Sequence, residues 1–194
     1  MTMDTKDDGL EVVGGKGRSL ARMTNAGFHV PGGFQVTTAA YRKFVADNGL
    51  QDKILELAKP AVVNGFASFE QASENVQKLF HDNAMAQDVV DEVTSAYLAL
   101  EGETPAIAVR SSANAEDLPG LSFAGQQETF LNVSGAAEAV AAVKKCWASL
   151  WTSQAISYRH QHGVEQDSVA MAVVAQIMVL SEVSGILFTA NPAT

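Results

Sequence analysis

The chain has little cysteine and little positive charge, and each scarcity excludes a class of protein. Cys146 is the only cysteine among 194 residues, so no internal disulfide can form, and we interpret it as a small buried residue of a helix. Lys and Arg number 13 against 22 Asp and Glu, for a net charge of -9. This balance argues against a nucleic acid as partner, because such a partner generally requires a basic face. A nucleotide needs only a few local cations.

Long apolar runs are also missing. The first ten residues are acidic and contain no apolar signal core, and no window approaches the ~20 apolar residues of a membrane-spanning helix. We therefore expect a cytoplasmic protein without a membrane partner, and a mobile tail over residues 1–10. Apolar residues make up 47% of the chain, enough for a sizeable hydrophobic core in the remaining residues 11–194.

The first half of the chain has mainly helical patterns. A short strand and a Gly-Gly turn are predicted before a helix that runs from Arg18 to Ala26 and ends at Gly27. An extended segment follows, and then a helix capped by Thr37 or Thr38. Residues 51–100, including the pair Val62–Val63, have helical periodicity, which predicts a helical insertion. Ser68, followed three residues later by Gln71, resembles a capping box.

After Pro105 the composition changes to that of strands. The runs "AIAVR", "TFLNV", "SVAMAVVAQIMV" and "SGILFTANP" are short, β-branched and apolar, and each predicts a strand. Between the second and third of them, one long amphipathic helix is predicted over residues 135–163. The fold class is therefore mixed α/β (α+β), with helices first and a sheet after them.

Three segments carry residues that suit a polyphosphate. The segment "GGKG" (residues 14–17) opens a helix with flexible glycines and the charge of Lys16, although the Walker spacing is absent and such a segment is more often only a turn. Arg110 ends an apolar run and is followed by two serines; its fork suits phosphate oxygens, and the alternative is a structural pair with Glu116 or Asp117. The loop "SFAGQQETF" adds Gly125 and the Thr129 hydroxyl, and its alternative is a plain hairpin connection.

The remaining polar residues suggest no metal site. His29 adjoins Val30-Pro31, and His160 and His162 lie near a predicted helix end, where a cation is favourable in any case. Glu116 and Asp117 are expected to orient Arg110 rather than hold a magnesium ion. We therefore assign no metal ligand in this chain.

Five blocks in a fixed order resemble one known family. They are "GGKGRSLARM", "VPGGFQVTTAAY", "AVRSSANAEDLPGLSFAGQQETFLNV", "AQIMV" and "SGILFTANPAT". The chain resembles the N-terminal nucleotide-binding domain of phosphoenolpyruvate synthase and pyruvate phosphate dikinase, which rifamycin phosphotransferases share. The resemblance implies an ATP-grasp-like fold, here the first lobe with a helical insertion and the start of the second lobe, and a chain that is C-terminally incomplete.

The resemblance also implies roles for individual residues. Lys16 and Arg110 would contact the ATP phosphates as the catalytic residues, and Gly125 and Thr129 would belong to a phosphate-covering loop. The segment containing Gln176, Met178 and Val179 would form the hinge that meets the adenine. Magnesium would accompany ATP, with its main ligands outside this chain.

The family's reaction passes a phosphoryl group from ATP through a histidine on a separate domain to pyruvate or another acceptor. The resemblance implies that the phosphohistidine and acceptor-binding domains would be supplied in cis or in trans. None of the four histidines (His29, His81, His160 and His162) lies in the family's phosphohistidine motif, so the chain alone is expected not to complete the reaction. Two alternatives stay open: a non-catalytic nucleotide-binding or interaction module, and one subunit of a split phosphotransferase. The choice between branches of the family also stays open: "SFAGQQETFLNV" suits the synthases, whereas Gly17 departs slightly from their typical asparagine and leans toward the antibiotic-phosphorylating relatives.

Overall fold

A computed structural model of the chain describes residues 1–6, 9–114 and 128–186. In chain order the elements are α1 (Leu10–Asn25), β1 (Gly33–Val36), α2 (Thr38–Asp47), α3 (Gln51–Leu57), β2 (Ala61–Val63), β3 (Phe66–Ser68), α4 (Glu70–Asp82), α5 (Gln87–Leu98), β4 (Ile107–Ala113), β5 (Thr129–Val133), α6 (Ala136–Ser149), α7 (Ser153–Gln161) and β6 (Met171–Ile177). The main sheet is antiparallel and has four strands in the order β1-β6-β4-β5, and a separate two-stranded hairpin pairs β2 with β3. None of the described helices is long and apolar enough to cross a bilayer.

The strand β6 lies inside the sheet and is covered on both faces. Its first five residues are all buried, which explains why this segment is almost continuously apolar. It pairs with β1 on one side and with β4 on the other, although β1 precedes it by more than 130 residues in the chain. The strands predicted from "AIAVR", "TFLNV" and "SVAMAVVAQIMV" are confirmed as β4, β5 and β6.

One face of the sheet carries the main hydrophobic core. The helices α4 and α5 pack on α6, and α6 packs on β4 and β6. At its aromatic centre the ring centroid of Phe44 lies 5.3 Å from that of Phe80 and 5.4 Å from that of Trp147. Tyr41 joins it, and its hydroxyl accepts a hydrogen bond from the buried indole of Trp151 at 3.0 Å.

The opposite face of the sheet is partly covered by residues 14–17 of α1, which we call the glycine turn. Gly14 has φ 68° and ψ -179°, so it interrupts the helix with a conformation that is essentially restricted to glycine. A Cβ on Gly14 would lie 2.0 Å from the carbonyl oxygen of Ser112 in β4. The Ser112 hydroxyl donates to Val13 O at 2.8 Å and accepts from the amide of Gly17 at 3.1 Å. The turn is therefore held on β4 by close approach and by two buried hydrogen bonds.

The end of α1 lies where the sequence predicts it. Gly27 has φ 84°, its amide donates to Thr24 O at 3.0 Å, and the amide of Phe28 donates to Met23 O at 3.1 Å. This is the Schellman arrangement, which favours glycine after the last helical residue. The start of α1 differs from the prediction, because residues 11–13 are helical and not a strand.

Two predictions in the helical region are wrong. Val62 and Val63 belong to the hairpin β2–β3, because Asn64 and Gly65 both have positive φ (51° and 82°) and form the tight turn that joins antiparallel strands. Ser68 caps no helix: it lies in β3, and its hydroxyl binds the carboxylate of Glu70.

Other differences concern the ends of elements. The long helix predicted over residues 135–163 is two helices, because the chain turns at residues 150–152 and Thr152 caps α7 by accepting from Ala155 N at 3.3 Å. Within the predicted tail, Met1 extends the edge of β1 through hydrogen bonds with the backbone of Gln35 at 2.7 and 2.9 Å. Residues 184–186 are not in a strand, and the rest of "SGILFTANP" lies outside the described residues.

Replacement of Gly14 by alanine tests the close approach of the turn to the sheet. We expect Gly14→Ala to lower the free energy of unfolding by at least about 3 kcal/mol, because the backbone conformation excludes a Cβ and the Ser112 carbonyl occupies its place. Gly27→Ala is the matched control: Gly27 also has positive φ, but no atom lies within 4 Å of the place that a Cβ would take, so about 1–2 kcal/mol is expected. Urea unfolding measures both, and equal losses would contradict the packing described here.

Replacement of Ser112 by alanine tests the two hydrogen bonds of its hydroxyl. The change leaves Val13 O and the amide of Gly17 without this partner in a buried place, so we expect a loss of about 1–3 kcal/mol in the free energy of unfolding. Ser134→Ala, at an exposed hydroxyl that donates to Thr104 O, should stay within about 0.5 kcal/mol of the wild type. An unchanged stability of Ser112→Ala would show that the hydroxyl does not anchor the turn.

Candidate functional site

A row of four residues crosses the whole sheet and includes two of the predicted site residues. Gln35 of β1 lies opposite Val174 of β6, Val174 lies opposite Arg110 of β4, and Arg110 lies opposite Thr129 of β5. Directly opposite residues of neighbouring strands project from the same face, so these four side chains share one face of the sheet. We call Gln35, Val174, Arg110 and Thr129 the cross-sheet row. Arg110 is half-buried and Thr129 is exposed.

Lys16 lies on the glycine turn that packs against this same face. The turn is bonded to Ser112, and Ser112 follows Arg110 by two residues in β4, so both project from one face. Lys16 is half-buried between Gly15 and Gly17, which are buried. The structure therefore brings the turn that carries Lys16 and the side chain of Arg110 to the same side of the sheet.

The hydroxyls of the two serines after Arg110 donate hydrogen bonds to other parts of the protein. The sequence predicts that Arg110 ends the strand and that its serines lie at the mouth of a ligand site. In the structure β4 continues to Ala113, and the Ser111 hydroxyl donates to Glu128 O at 2.9 Å. Ser112 holds the glycine turn on the other side. Successive strand residues project from opposite faces, so Ser111 bonds to Glu128 on one face of β4 and Ser112 bonds to the glycine turn on the other.

Two charges near the site affect the pKa of the Cys146 thiol. Burial, and then the carboxylate of Glu128, raise the pKa of the Cys146 thiol, while the ammonium group of Lys16 acts in the opposite direction. Cys146 is fully buried and its sulfur is 3.9 Å from Val109 O in β4. Cys146 is therefore the buried core residue that the sequence predicts.

The predicted hinge residues lie at and beyond the end of β6. Gln176 is opposite Ala108 of β4, and its side-chain amide donates to Pro31 O at 3.3 Å. The amide of Met178 donates to Ala106 O at 2.9 Å, which extends the pairing one step past the strand. Val179 then leaves the sheet and is 61% exposed. Gln176 shares the face of Arg110, since it follows Val174 by two residues.

Several predicted residues lie elsewhere or outside the described part. Gly125, Glu116 and Asp117 are among residues 115–127, which the structure does not describe. The ring of His160 packs on Phe69, and that of His162 on Tyr158. Within residues 1–6, 9–114 and 128–186, no three His, Cys, Asp or Glu side chains come together as metal ligands.

Sequence reasoning did not single out two polar residues that lie beside the candidate site. Gln35 sits beneath the glycine turn, and the only signal in the sequence is a polar residue between Phe34 and Val36 in an extended apolar run. Asn114 directly follows β4 and donates to both Glu11 Oε2 (3.0 Å) and Ser168 O (3.2 Å), while its Oδ1 accepts from Ala170 N at 2.9 Å. Asn114 thus joins the start of α1 to the segment that leads into β6.

Comparison with known proteins gives similar chains of two kinds. A probable phosphoenolpyruvate synthase of Methanocaldococcus jannaschii is 45% identical over 94% of this chain and 16% of its own length. A phosphoenolpyruvate synthase of Aeropyrum pernix is 45% identical over 96% of this chain and 23% of its own length. A rifampicin phosphotransferase of Streptomyces sviceus is 45% identical over 95% of this chain and 21% of its own length. The chain thus spans about a fifth of the length of these relatives.

The family itself is shown by a sequence profile that covers nearly the whole chain. The profile is described as "Pyruvate phosphate dikinase, AMP/ATP-binding domain" and matches residues 10–194. All the elements named above, from α1 to β6, lie within these bounds. The chain belongs to the pyruvate phosphate dikinase AMP/ATP-binding domain family.

Proposed function

We propose that this chain binds ATP on the sheet face that carries Arg110 and the glycine turn, as the ATP-binding part of a dikinase-type phosphotransferase. The observation that supports it most is the bonding of the turn to Ser112, two residues from Arg110 on the same face. This contact keeps the two cations of the proposed site, Lys16 and Arg110, on one surface. Membership in an AMP/ATP-binding domain family supports the nucleotide, and the face shared by the glycine turn and Arg110 supports its proposed location.

Each proposed phosphate contact follows from the chemistry of its residue. The planar fork of Arg110 can bind two phosphate oxygens at once, whereas Lys16 acts as a compact charge. Gly14 interrupts α1, so a new helical turn begins at the glycines and directs backbone N–H groups towards an anion. Thr129, in the same row as Arg110, adds a hydroxyl, and Gly125 is proposed to join from the loop between β4 and β5.

The adenine is proposed to lie against the segment that leaves β6. Gln176 shares the face of Arg110, and the backbone of Met178 is fixed by its bond to Ala106. Val179 is exposed beyond them and offers apolar surface to a base. In this arrangement the nucleotide would extend from the end of β6 towards the glycine turn. The segment that leaves β6 would then be the hinge between the first and the second lobe of an ATP-grasp-like fold.

The reaction of the whole protein is proposed to be phosphoryl transfer from ATP, through a histidine on another domain, to pyruvate or another acceptor. Such transfer depends mainly on positioning and charge neutralisation, which two cations on a rigid sheet can supply. Magnesium neutralises phosphate charge when it accompanies ATP. The described residues contain no carboxylate cluster that would hold it, so we propose its protein ligands outside them.

Replacement of Arg110 tests the phosphate role. We expect Arg110→Ala to weaken ATP binding by about 1–3 kcal/mol, or roughly 5- to 150-fold in Kd, because charge-assisted hydrogen bonds are lost. Arg110→Lys should recover only part of the affinity, because an ammonium group cannot bind two oxygens in the same fork. Isothermal titration with ATP and magnesium measures all three proteins.

The matched control removes a cation from the other side of the sheet. Lys78 on α4 is exposed and pairs with Asp82, α4 packs on α6 over the face opposite the glycine turn, and Lys78→Ala should leave ATP affinity unchanged. Equal affinities for Arg110→Ala and wild type would refute the role of Arg110. Absence of any ATP binding by the wild-type chain would favour a non-catalytic interaction module.

A further inference from the structure

The side chain of Gln35 is buried and lacks a polar partner. It is 2% exposed, and neither its Oε1 nor its Nε2 has a hydrogen-bond partner among the described residues. A buried amide without a partner is unfavourable, so its presence needs a physical reason. Two other described residues have such atoms, Trp147 and Arg159, and they lie on α6 and α7. Only Gln35 belongs to the cross-sheet row.

The glycine turn lies directly over this amide. A Cβ placed on Gly17 would be 2.3 Å from Gln35 Oε1, closer than real Cβ atoms approach other heavy atoms. Gly17 therefore leaves the room that the Gln35 side chain occupies. The amide is consequently aimed at the backbone of the turn that carries Lys16.

The backbone of this turn offers the polar groups that the amide lacks. Because Gly14 breaks the helical conformation, the residues after it start a new helical turn, and the first N–H groups of a helix have no acceptor within it. The amide of Gly17 already donates to Ser112 Oγ at 3.1 Å. A small movement of the turn would let Gln35 exchange hydrogen bonds with the backbone around Lys16.

We propose that Gln35 is a positioning residue for the nucleotide site: when ATP engages the glycine turn, the Gln35 amide hydrogen-bonds to the backbone of the turn and fixes Lys16 beside the cross-sheet row. The inference rests on the proposed ATP binding and adds to it a residue that never touches the nucleotide. In the nucleotide-free chain the lack of a partner for the amide is unfavourable. ATP binding relieves this, so part of the affinity comes from Gln35.

The variant Gln35→Met separates this role from simple packing. Methionine has a similar length and fills the same space, but it carries no amide. We expect its midpoint of urea unfolding to equal or exceed that of the wild type, because a buried unpartnered amide is removed. We expect ATP to bind about five- to tenfold more weakly, because the hydrogen bonds formed on binding are lost. A purely structural role would move both quantities in the same direction.

The control and the contradicting outcomes are distinct. Gln161→Met, at a glutamine of α7 that bonds to Ser157, should leave ATP affinity unchanged. Wild-type ATP affinity in Gln35→Met would overturn the positioning role alone, and a lower unfolding midpoint of that variant would show that the amide is already satisfied without ATP. Failure of the wild-type chain to bind ATP in the same titration would overturn the proposed function and this inference together.

Discussion

The arrangement of the candidate site depends on the hydroxyl of Ser112. It donates to Val13 O and accepts from the amide of Gly17, so one oxygen atom is bonded to α1 both before and after the break at Gly14. The hydroxyl is fully buried, and Gly14 lets the two backbones approach closely enough for both bonds to form. The distance between the glycine turn and β4 is thus set by backbone contacts. The two bonds therefore keep the backbone that carries Lys16 close to β4.

Strands β4, β5 and β6 and most of the helices could be predicted from local patterns, and the errors lie where a local pattern does not decide the structure. The apolar runs of β4, β5 and β6 are short and β-branched, and Gly27 satisfies a local backbone requirement, so neighbouring residues suffice to predict them. The pair Val62–Val63 fits a helical period by coincidence, and the hairpin forms because Asn64 and Gly65 accept positive φ. The pairing of Met1 with β1 depends on the free edge of a sheet, which no local pattern of the first ten residues contains.

The prediction for Arg110 reaches the right face of the sheet by an incomplete route. It assumes that a polar side chain at the end of a strand marks a ligand site, as in parallel sheets. The sheet is antiparallel and Arg110 lies within β4, where its face, and not the strand end, places it on the side of the glycine turn. Gln35 could not be found in this way. Its position depends on the register between strands that are more than 130 residues apart in the chain.

The register of β1 and β6, which positions Gln35, also affects the interpretation of Gly17. As a departure from the asparagine expected of synthases, Gly17 favours the antibiotic-phosphorylating relatives. In the structure a Cβ at position 17 would lie 2.3 Å from Gln35 Oε1, so a larger residue there requires the end of the Gln35 side chain to move. Gly17 thus has a packing explanation in Gln35 that is independent of the acceptor. The choice of acceptor is set by residues that the acceptor itself contacts.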